Sequence, residues 1–286
     1  DLLYKGFKIV PYCPRCGTPL SSHEVAQGYK DVKERSAIVR FKVKDEDAYI
    51  LAWTTTPWTL PSNVALCVNP NETYVKVQHE GYTYYMAEAL VPTVLKENYT
   101  IIESYKGKDL EYKEYVPLFN FVKPDKKCWY VTCDTYVTLT DGTGVVHTAP
   151  AFGEDDANVG RKYDLPFVQL VDSKGEMTEE TLWPGVFCKK ADKDILKTLE
   201  QNGLLFDAPV FEHNYPHCWR CDTPLIYYAR ESWFIKMTAV KEDLIRNNDT
   251  INWIPKTIGK GRFGDWLENV QDWGISRNRY WGTPLN

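Results

Sequence analysis

The sequence predicts a mixed α/β fold, a mixed sheet or barrel with helices between and around its strands. Three observations carry this prediction. Apolar and charged residues alternate as in half-buried strands, most cleanly over Ser36 to Lys44, where Val39, Phe41 and Val43 share one face and Arg40, Lys42 and Lys44 the other. Helical stretches are fewer and fall among the strand-rich ones. One octapeptide pattern, Cys-x-x-Cys-x-Thr-Pro-Leu, occurs twice, starting at Cys13 and again at Cys218, so both ends of the chain are expected to join one module.

In chain order, Cys13-Pro14-Arg15-Cys16-Gly17-Thr18-Pro19-Leu20 is the first octapeptide. Tyr49 to Trp53 is an apolar strand that runs into Thr54, Thr55 and Thr56. Thr73 to Met86 reads as a hairpin turning near Glu80-Gly81. Ala87 to Lys96 reads as a helix, Lys127 to Leu139 as β-rich, and Val145-Val146 as a strand ending at His147. Further helices are expected at Asp156 to Tyr163, at Ala191 to Asn202 with Gly203 as the stop, and at Ala239 to Arg246. Cys218-Trp219-Arg220-Cys221-Asp222-Thr223-Pro224-Leu225 is the second octapeptide. Trp219 to Asn286 shows few strand signals yet holds six of the ten tryptophans, so it should pack against other surfaces.

Each octapeptide offers two thiolates from a tight turn, and the two together complete a tetrahedral four-thiolate zinc site from Cys13, Cys16, Cys218 and Cys221. Disulfides or reduced structural cysteines are the other readings. The repeat favours a shared ion, which would be structural because all four positions are filled. His213 and His217 are expected as neighbours of the site. Cys67, Cys128, Cys133 and Cys188 lack pairing spacing and are expected to act as small apolar residues.

Two segments carry most of the chemistry. Trp53-Thr54-Thr55-Thr56-Pro57-Trp58-Thr59-Leu60-Pro61-Ser62-Asn63 places hydroxyls at a strand end, followed by a loop that Pro57 and Pro61 stiffen. Threonines suit ribose hydroxyls, a carbonyl or a water. They are also good strand formers, so the run alone reads as well as a β segment with a Pro turn. In Gly142-Thr143-Gly144-Val145-Val146-His147-Thr148-Ala149-Pro150-Ala151-Phe152-Gly153-Glu154-Asp155-Asp156, a glycine turn feeds a strand that delivers His147. Acidic residues then open a helix, where one of the two aspartates serves as a cap and the other is free to meet a substrate ammonium.

Together these segments resemble the editing domain of isoleucyl-tRNA synthetases, within the class I aminoacyl-tRNA synthetases. Valyl and leucyl relatives usually carry an arginine at or beside the place of Pro57 and lack Trp58. Leu3-Tyr4-Lys5-Gly6 with the first knuckle resembles the segment by which the chain leaves the catalytic domain. Trp273 to Gly282 resembles the segment by which it returns. The resemblance implies a β-barrel editing core with surrounding helices, plus a zinc-ribbon-like module made from both chain ends. It implies hydrolysis of valyl-tRNA for isoleucine, and of valyl-adenylate. Asp156 would hold the substrate ammonium and His147 would form the wall that excludes isoleucine. Thr54, Thr55, Thr56 and Thr59 would position ribose, ester and water, with Trp53 near the adenine. Phe152, where many bacterial relatives carry a histidine, resembles the eukaryote-like branch.

The division expected is a knuckle and linker over 1–30, an editing core over 31–210, the second knuckle over 211–230, and a connector over 231–286 back to the catalytic domain. A start at Asp1 and a stop at Asn286 read as an excised piece. The resemblance implies a cytoplasmic monomer whose partners are the tRNA 3′ end and the parent catalytic domain. No His-x-Gly-His or Lys-Met-Ser-Lys-Ser type motif appears, so ATP-dependent activation is not expected. No apolar stretch approaches a membrane span and no signal peptide is visible. A net charge of −5 argues against autonomous nucleic-acid binding. Lys256, Lys260, Arg262, Arg277 and Arg279 read as a solvated face. Two other readings remain, a noncatalytic zinc-stapled RNA-binding module and the valyl counterpart of the editing domain.

Overall fold

The computed structural model describes residues 2–276. Its chain forms two compact units, Pro11–Tyr228 and, from the two ends, Asp1–Val10 with Ala229–Asn286.

In chain order the strands and helices begin with β1 (Leu3–Cys13) and β2 (Thr18–Pro19), which pair antiparallel across the first knuckle. In α1 (Ser22–Ala26), Ser21 and Glu24 form a reciprocal capping box. β3 (Tyr29–Arg35), β4 (Ala37–Lys42) and β5 (Tyr49–Thr54) come next, then a 3-10 turn over Pro57–Ser62 that both prolines favour. β6 (Ala65–Val68) precedes the hairpin of β7 (Thr73–His79) and β8 (Tyr82–Ala87). That hairpin turns at Glu80-Gly81 as expected, both at positive φ (48° and 83°), as its two-residue turn demands. Next come α2 (Val91–Val94), β9 (Tyr99–Lys106), β10 (Tyr130–Cys133), β11 (Val145–Thr148), α3 (Glu154–Lys162) and α4 (Cys188–Gln201). β12 (Leu205–Asp207) and β13 (Val210–Pro216) lead to β14 (Ile226–Ile235). α5 (Lys241–Asn248), α6 (Thr257–Lys260), α7 (Arg262–Glu268) and β15 (Trp273–Gly274) complete the described chain.

The larger unit is built on a nine-stranded mixed sheet ordered β10-β6-β11-β5-β8-β7-β9, with β4 also on β5 and β12 on β4. β5 is the pivot. Along one edge it pairs first with β8, at Tyr49↔Tyr84 and Ile50↔Tyr85, and then with β11, at Val146↔Trp53. Its other edge pairs along its length with β4. One edge thus changes partner midway, and the sheet curls into a half-barrel. Phe41, Leu51, Leu60, Leu66, Tyr74 and Met86 fill its interior. α4 covers this core with Cys188, Ala191, Ile195, Leu196 and Leu199, one stripe at helical spacing. Each such large aliphatic side chain contributes about 1.5–3 kcal/mol by burial. A second cluster, with Val64, Ala65, Tyr130, Val159 and Leu165, lies beneath α3. β3 and β13 form a separate two-stranded ribbon.

In the smaller unit, Tyr4 stacks on Phe234 of β14 at 5.3 Å and donates to Asp272 at 2.6 Å. β14 pairs with β15 at Phe234↔Gly274. The Asn248 amide ties α5 to α6 through Gly259 O at 2.7 Å and accepts the Trp253 indole N–H at 2.9 Å.

Several local expectations need correction. The helix over Ala87 to Lys96 is a strand end, a 3-10 turn and the four residues of α2, because Ala87 stays paired in the hairpin and Pro92 restricts the backbone after it. The β-rich stretch from Lys127 is only β10, since Trp129 sits at φ 61° and breaks the strand before it. The segment after Trp219 does contain a strand, the ten residues of β14. The return segment beyond Ser276, with Arg277 and Arg279, lies outside the described residues.

Candidate functional site

The parallel register Val146↔Trp53 brings the ends of β5 and β11 side by side, so Thr54 and His147 come together from the two motif segments. A chain of hydrogen bonds links them. Thr54 Oγ1 lies 3.3 Å from Thr56 Oγ1 and accepts the Thr56 N–H at 3.1 Å. Thr56 Oγ1 lies 3.3 Å from Thr59 Oγ1, which donates to Thr56 O at 2.8 Å and lies 2.7 Å from His147 Nε2. Asn63 Nδ2 reaches His147 Nδ1 at 3.4 Å. His147 is only 6% exposed, and burial pushes its pKa down to about 4, so the ring is neutral near pH 7. Thr55 is half-buried and stands outside this chain. The 3-10 turn that carries Thr59 is pinned by Asp192 of α4, which accepts the Trp58 N–H at 2.7 Å. Burial raises Asp192 to about 8.

Asp156 lies in the first turn of α3. Neither it nor Asp155 caps the helix, a correction, because Gly153 occupies the N-cap position. Asp155 is exposed, and Asp156 folds back so that Oδ2 accepts the Ala149 N–H at 2.9 Å while the Tyr136 hydroxyl lies 3.5 Å from Oδ1. The residue retains partial exposure, yet burial of its carboxyl group raises the pKa to about 7. A half-buried carboxylate with no cation paired to it among the described residues is suited to a cationic ligand.

Trp53 is half-buried, edge-on to Phe211 at 5.6 Å. It lines a cavity of about 260 Å³ with Tyr136, Thr138, Thr140, Asp141 and Thr143. Gly142, at φ 74°, is required here, since a Cβ would stand 2.6 Å from the Trp53 ring. Trp58 instead packs inward on Phe152 at 5.1 Å. Asn63, Tyr115, Tyr136 and Asp192 were not foreseen. Asn63 alone had a signal, as the last residue of the threonine-rich motif.

The two knuckles are near copies in space as in sequence. Gly17 and Asp222 both adopt φ near 65° (66° and 65°). Gly17 N–H donates to Cys13 O at 2.9 Å and Asp222 N–H to Cys218 O at 2.8 Å. Leu20 and Leu225 are buried with Cys13, Cys218 and Val25 in a small core. All four thiol sulfurs of Cys13, Cys16, Cys218 and Cys221 lie within 4.8 Å of one another, with pairs at 3.4, 3.5 and 3.9 Å. A tetrahedral ion with metal–sulfur bonds of about 2.3 Å needs sulfurs roughly 3.8 Å apart, so the donor set fits a metal ion. His213 and His217 take other partners, Glu34 and Tyr215 O. Cys67, Cys133 and Cys188 are buried and Cys128 half-buried, with all four thiol pKa values raised by burial.

Residues 1–286 match the family "tRNA synthetases class I (I, L, M and V)". The chain belongs to this family. Over its whole length it is 59% identical to the isoleucine–tRNA ligase of Clostridium novyi (strain NT), of which it covers 28%. It is 53% identical to that of Bacillus thuringiensis (strain Al Hakam), again over 28% of that protein. The chain thus spans about a quarter of the length of these curated relatives, both bacterial. Its fold is that of the crystal structure of GlLeuRS-CP1, at a TM-score of 0.50 and 14% identity, covering 62% of this chain and 99% of that one. The resemblance to the isoleucyl members of the family and the expected mixed α/β fold with a barrel-like sheet are both borne out. Among the described residues no helix is long and apolar enough to cross a membrane.

Proposed function

We propose that this chain is the editing domain of an isoleucine–tRNA ligase and hydrolyses valyl-tRNA for isoleucine, with valyl-adenylate as a second substrate. The observation that carries the reading is the join of the two motif segments: the threonine chain ends on neutral His147, and the half-buried Asp156 carboxylate folds back onto the N–H of Ala149, two residues beyond His147. In this reading Asp156 pairs with the substrate ammonium. Thr54, Thr55, Thr56 and Thr59 hold ribose, ester and water. The cavity beside Trp53 takes the terminal adenosine. Water oxygen adds to the ester carbonyl carbon, the bond to the ribose oxygen breaks, and that oxygen takes a proton. His147 is too acidic when protonated, and too fully hydrogen-bonded, to be the general base, so a hydroxyl of the tRNA terminus assists the water. His147 walls off the longer isoleucine side chain. A synthetic pocket cannot by itself reject a residue one methylene smaller, a limit for which isoleucine against valine is the standard worked case.

The parts divide accordingly. Residues 31–210 are the editing core, 1–30 and 211–230 carry the knuckles, and 231–286 lead back to the parent catalytic domain. Zinc held by Cys13, Cys16, Cys218 and Cys221 staples the knuckles and takes no part in hydrolysis. The chain acts in the cytoplasm as a monomer. The test is a panel of mischarged tRNAs incubated with the chain. Release of valine from tRNA for isoleucine supports the reading. Preference for threonyl-tRNA for valine would assign a valyl enzyme, and no deacylation with Asp156 intact would leave a noncatalytic RNA-binding module.

A further inference from the structure

We propose that Tyr115 is a positioning residue whose hydroxyl, acting through the Asn63 amide, fixes the tautomer of His147 and the direction of every hydrogen bond along the threonine chain. Tyr115 lies in the connection between β9 and β10, far in sequence from both motifs. It is 3% exposed and packs edge-on against Phe41 at 5.2 Å. Its hydroxyl donates to Asn63 Oδ1 at 2.6 Å, and burial keeps the phenol protonated.

With Oδ1 held by Tyr115, the Asn63 amide must turn its two N–H groups the other way. One donates to Ala65 O at 2.8 Å and the other faces His147 Nδ1 at 3.4 Å. The reverse orientation would set Oδ1 against a carbonyl oxygen, two acceptors without a proton between them. Asn63 is held from behind as well, because the Trp129 indole N–H donates to Asn63 O at 3.2 Å. Nδ1 of His147 is therefore an acceptor, and the neutral ring carries its proton on Nε2. That proton points into Thr59 Oγ1, 2.7 Å away, so the Thr59 hydroxyl sends its own proton to Thr56 O. Thr56 must then donate to Thr59, and Thr54 to Thr56.

The chain thus has one sense. Both Thr54 and Thr56 spend their protons inside the protein and turn only lone pairs outward. Such a row binds donors: an ammonium, a ribose hydroxyl or the O–H of a water. A water that donates into the row keeps its own lone pair for a carbonyl carbon. With the opposite tautomer, Nε2 would accept the Thr59 proton and the threonine row would no longer be obliged to point this way. This inference rests on the hydrolytic reading for its consequence, while the tautomer itself does not depend on it.

The experiment reads the tautomer directly. The chain has five histidines, so ¹⁵N-histidine labelling gives a simple spectrum in which His147 is identified by its loss in His147→Gln. The expected result at pH 7 is a neutral ring protonated at Nε2. Tyr115→Phe, which keeps the ring against Phe41, should convert this to a mixture or to the Nδ1–H form. The rate of valyl-tRNA deacylation should fall about tenfold, in kcat rather than KM. Asn63→Asp, which cannot donate to Nδ1, should give the Nδ1–H form outright. A wild-type ring protonated at Nδ1 overturns the proposal, as does an unchanged Nε2–H signal in either variant. Absence of deacylation by the wild-type chain would count against the hydrolytic reading alone and leave the tautomer result standing.

Discussion

Replacing Asp156 with asparagine separates what this carboxylate does to the fold from what it does for a substrate. Burial raises its pKa from 3.8 to about 7. The folded chain therefore holds this proton more tightly than the unfolded chain does. Its contribution to stability is complete below the unfolded value and is lost as pH rises through about 7, where an enclosed carboxylate must carry its charge. The rise corresponds to about 4 kcal/mol. Asp156 keeps partial exposure, so solvent screens part of this, and about half, ~2 kcal/mol, is the working figure. Asparagine retains an oxygen for the Ala149 N–H and carries no charge. At pH 8 Asp156→Asn should melt roughly 4–6 °C above the parent chain, while at pH 4 the two should nearly coincide. Deacylation should behave in the opposite way. A charge-assisted contact to an ammonium is worth about 1.5–3 kcal/mol, so the rate at pH 8 should drop roughly 10- to 150-fold. In the parent chain activity should rise with pH through about 7 as the carboxyl ionises. Calorimetry across pH and deacylation time courses measure both halves. A variant that gains no stability at pH 8, or that keeps the parent rate, would refute the reasoning.

The proposed metal site and pocket wall are open to equally direct tests. Elemental analysis of chain purified without chelators should find one zinc per molecule, and a strong chelator should lower the melting temperature; no bound metal, or a disulfide within either cysteine pair, would remove the four-cysteine assignment. His147→Ala should begin to hydrolyse correctly charged isoleucyl-tRNA even as loss of the ring slows valyl-tRNA hydrolysis, a gain bounded by roughly 1–3 kcal/mol for one methylene; equal loss on both esters, measured side by side, would remove the pocket-wall assignment.

Legibility in the sequence tracked how local each signal was. The β7–β8 hairpin was readable because its turn needs positive φ at Glu80 and Gly81 and its strands are adjacent. α4 was readable from one apolar stripe and from Gly203, which sits at φ 69° just past its end. The repeat of the knuckles placed four sulfurs together although some two hundred residues separate them. Here a chemical constraint substituted for proximity. β14 was missed because its partner β1 comes from the other end of the chain. Its burial alternates only in part, so no period of two stands out. The helix misread over Ala87 to Lys96 shows tertiary pairing overriding local propensity. In the candidate site, the residues bearing a motif were legible and their supports were not. Tyr115, Tyr136 and Asp192 act at a distance in sequence, and no spacing rule connects them to Asn63, Asp156 or Trp58.

The distribution of perturbed groups is a further argument that the two motifs form one site. Asp156 and Asp192 are carboxyl groups raised by burial, and His147 is an imidazole lowered by it. Ion pairs elsewhere show the ordinary pattern. Glu46, held by Lys76 and Lys113, is pushed down to about 2, as a partnered carboxylate should be. The three groups that folding alone disfavours all attach to the two segments. Asp192 does so by holding the Trp58 N–H, and Asp156 and His147 by belonging to the second segment. A fold keeps such locally unfavourable groups where another selection acts on them, and here each belongs to, or bonds to, one of the two motif segments. If the chain hydrolyses as proposed, stability and hydrolysis make opposite demands at Asp156, and that opposition is what its asparagine variant measures.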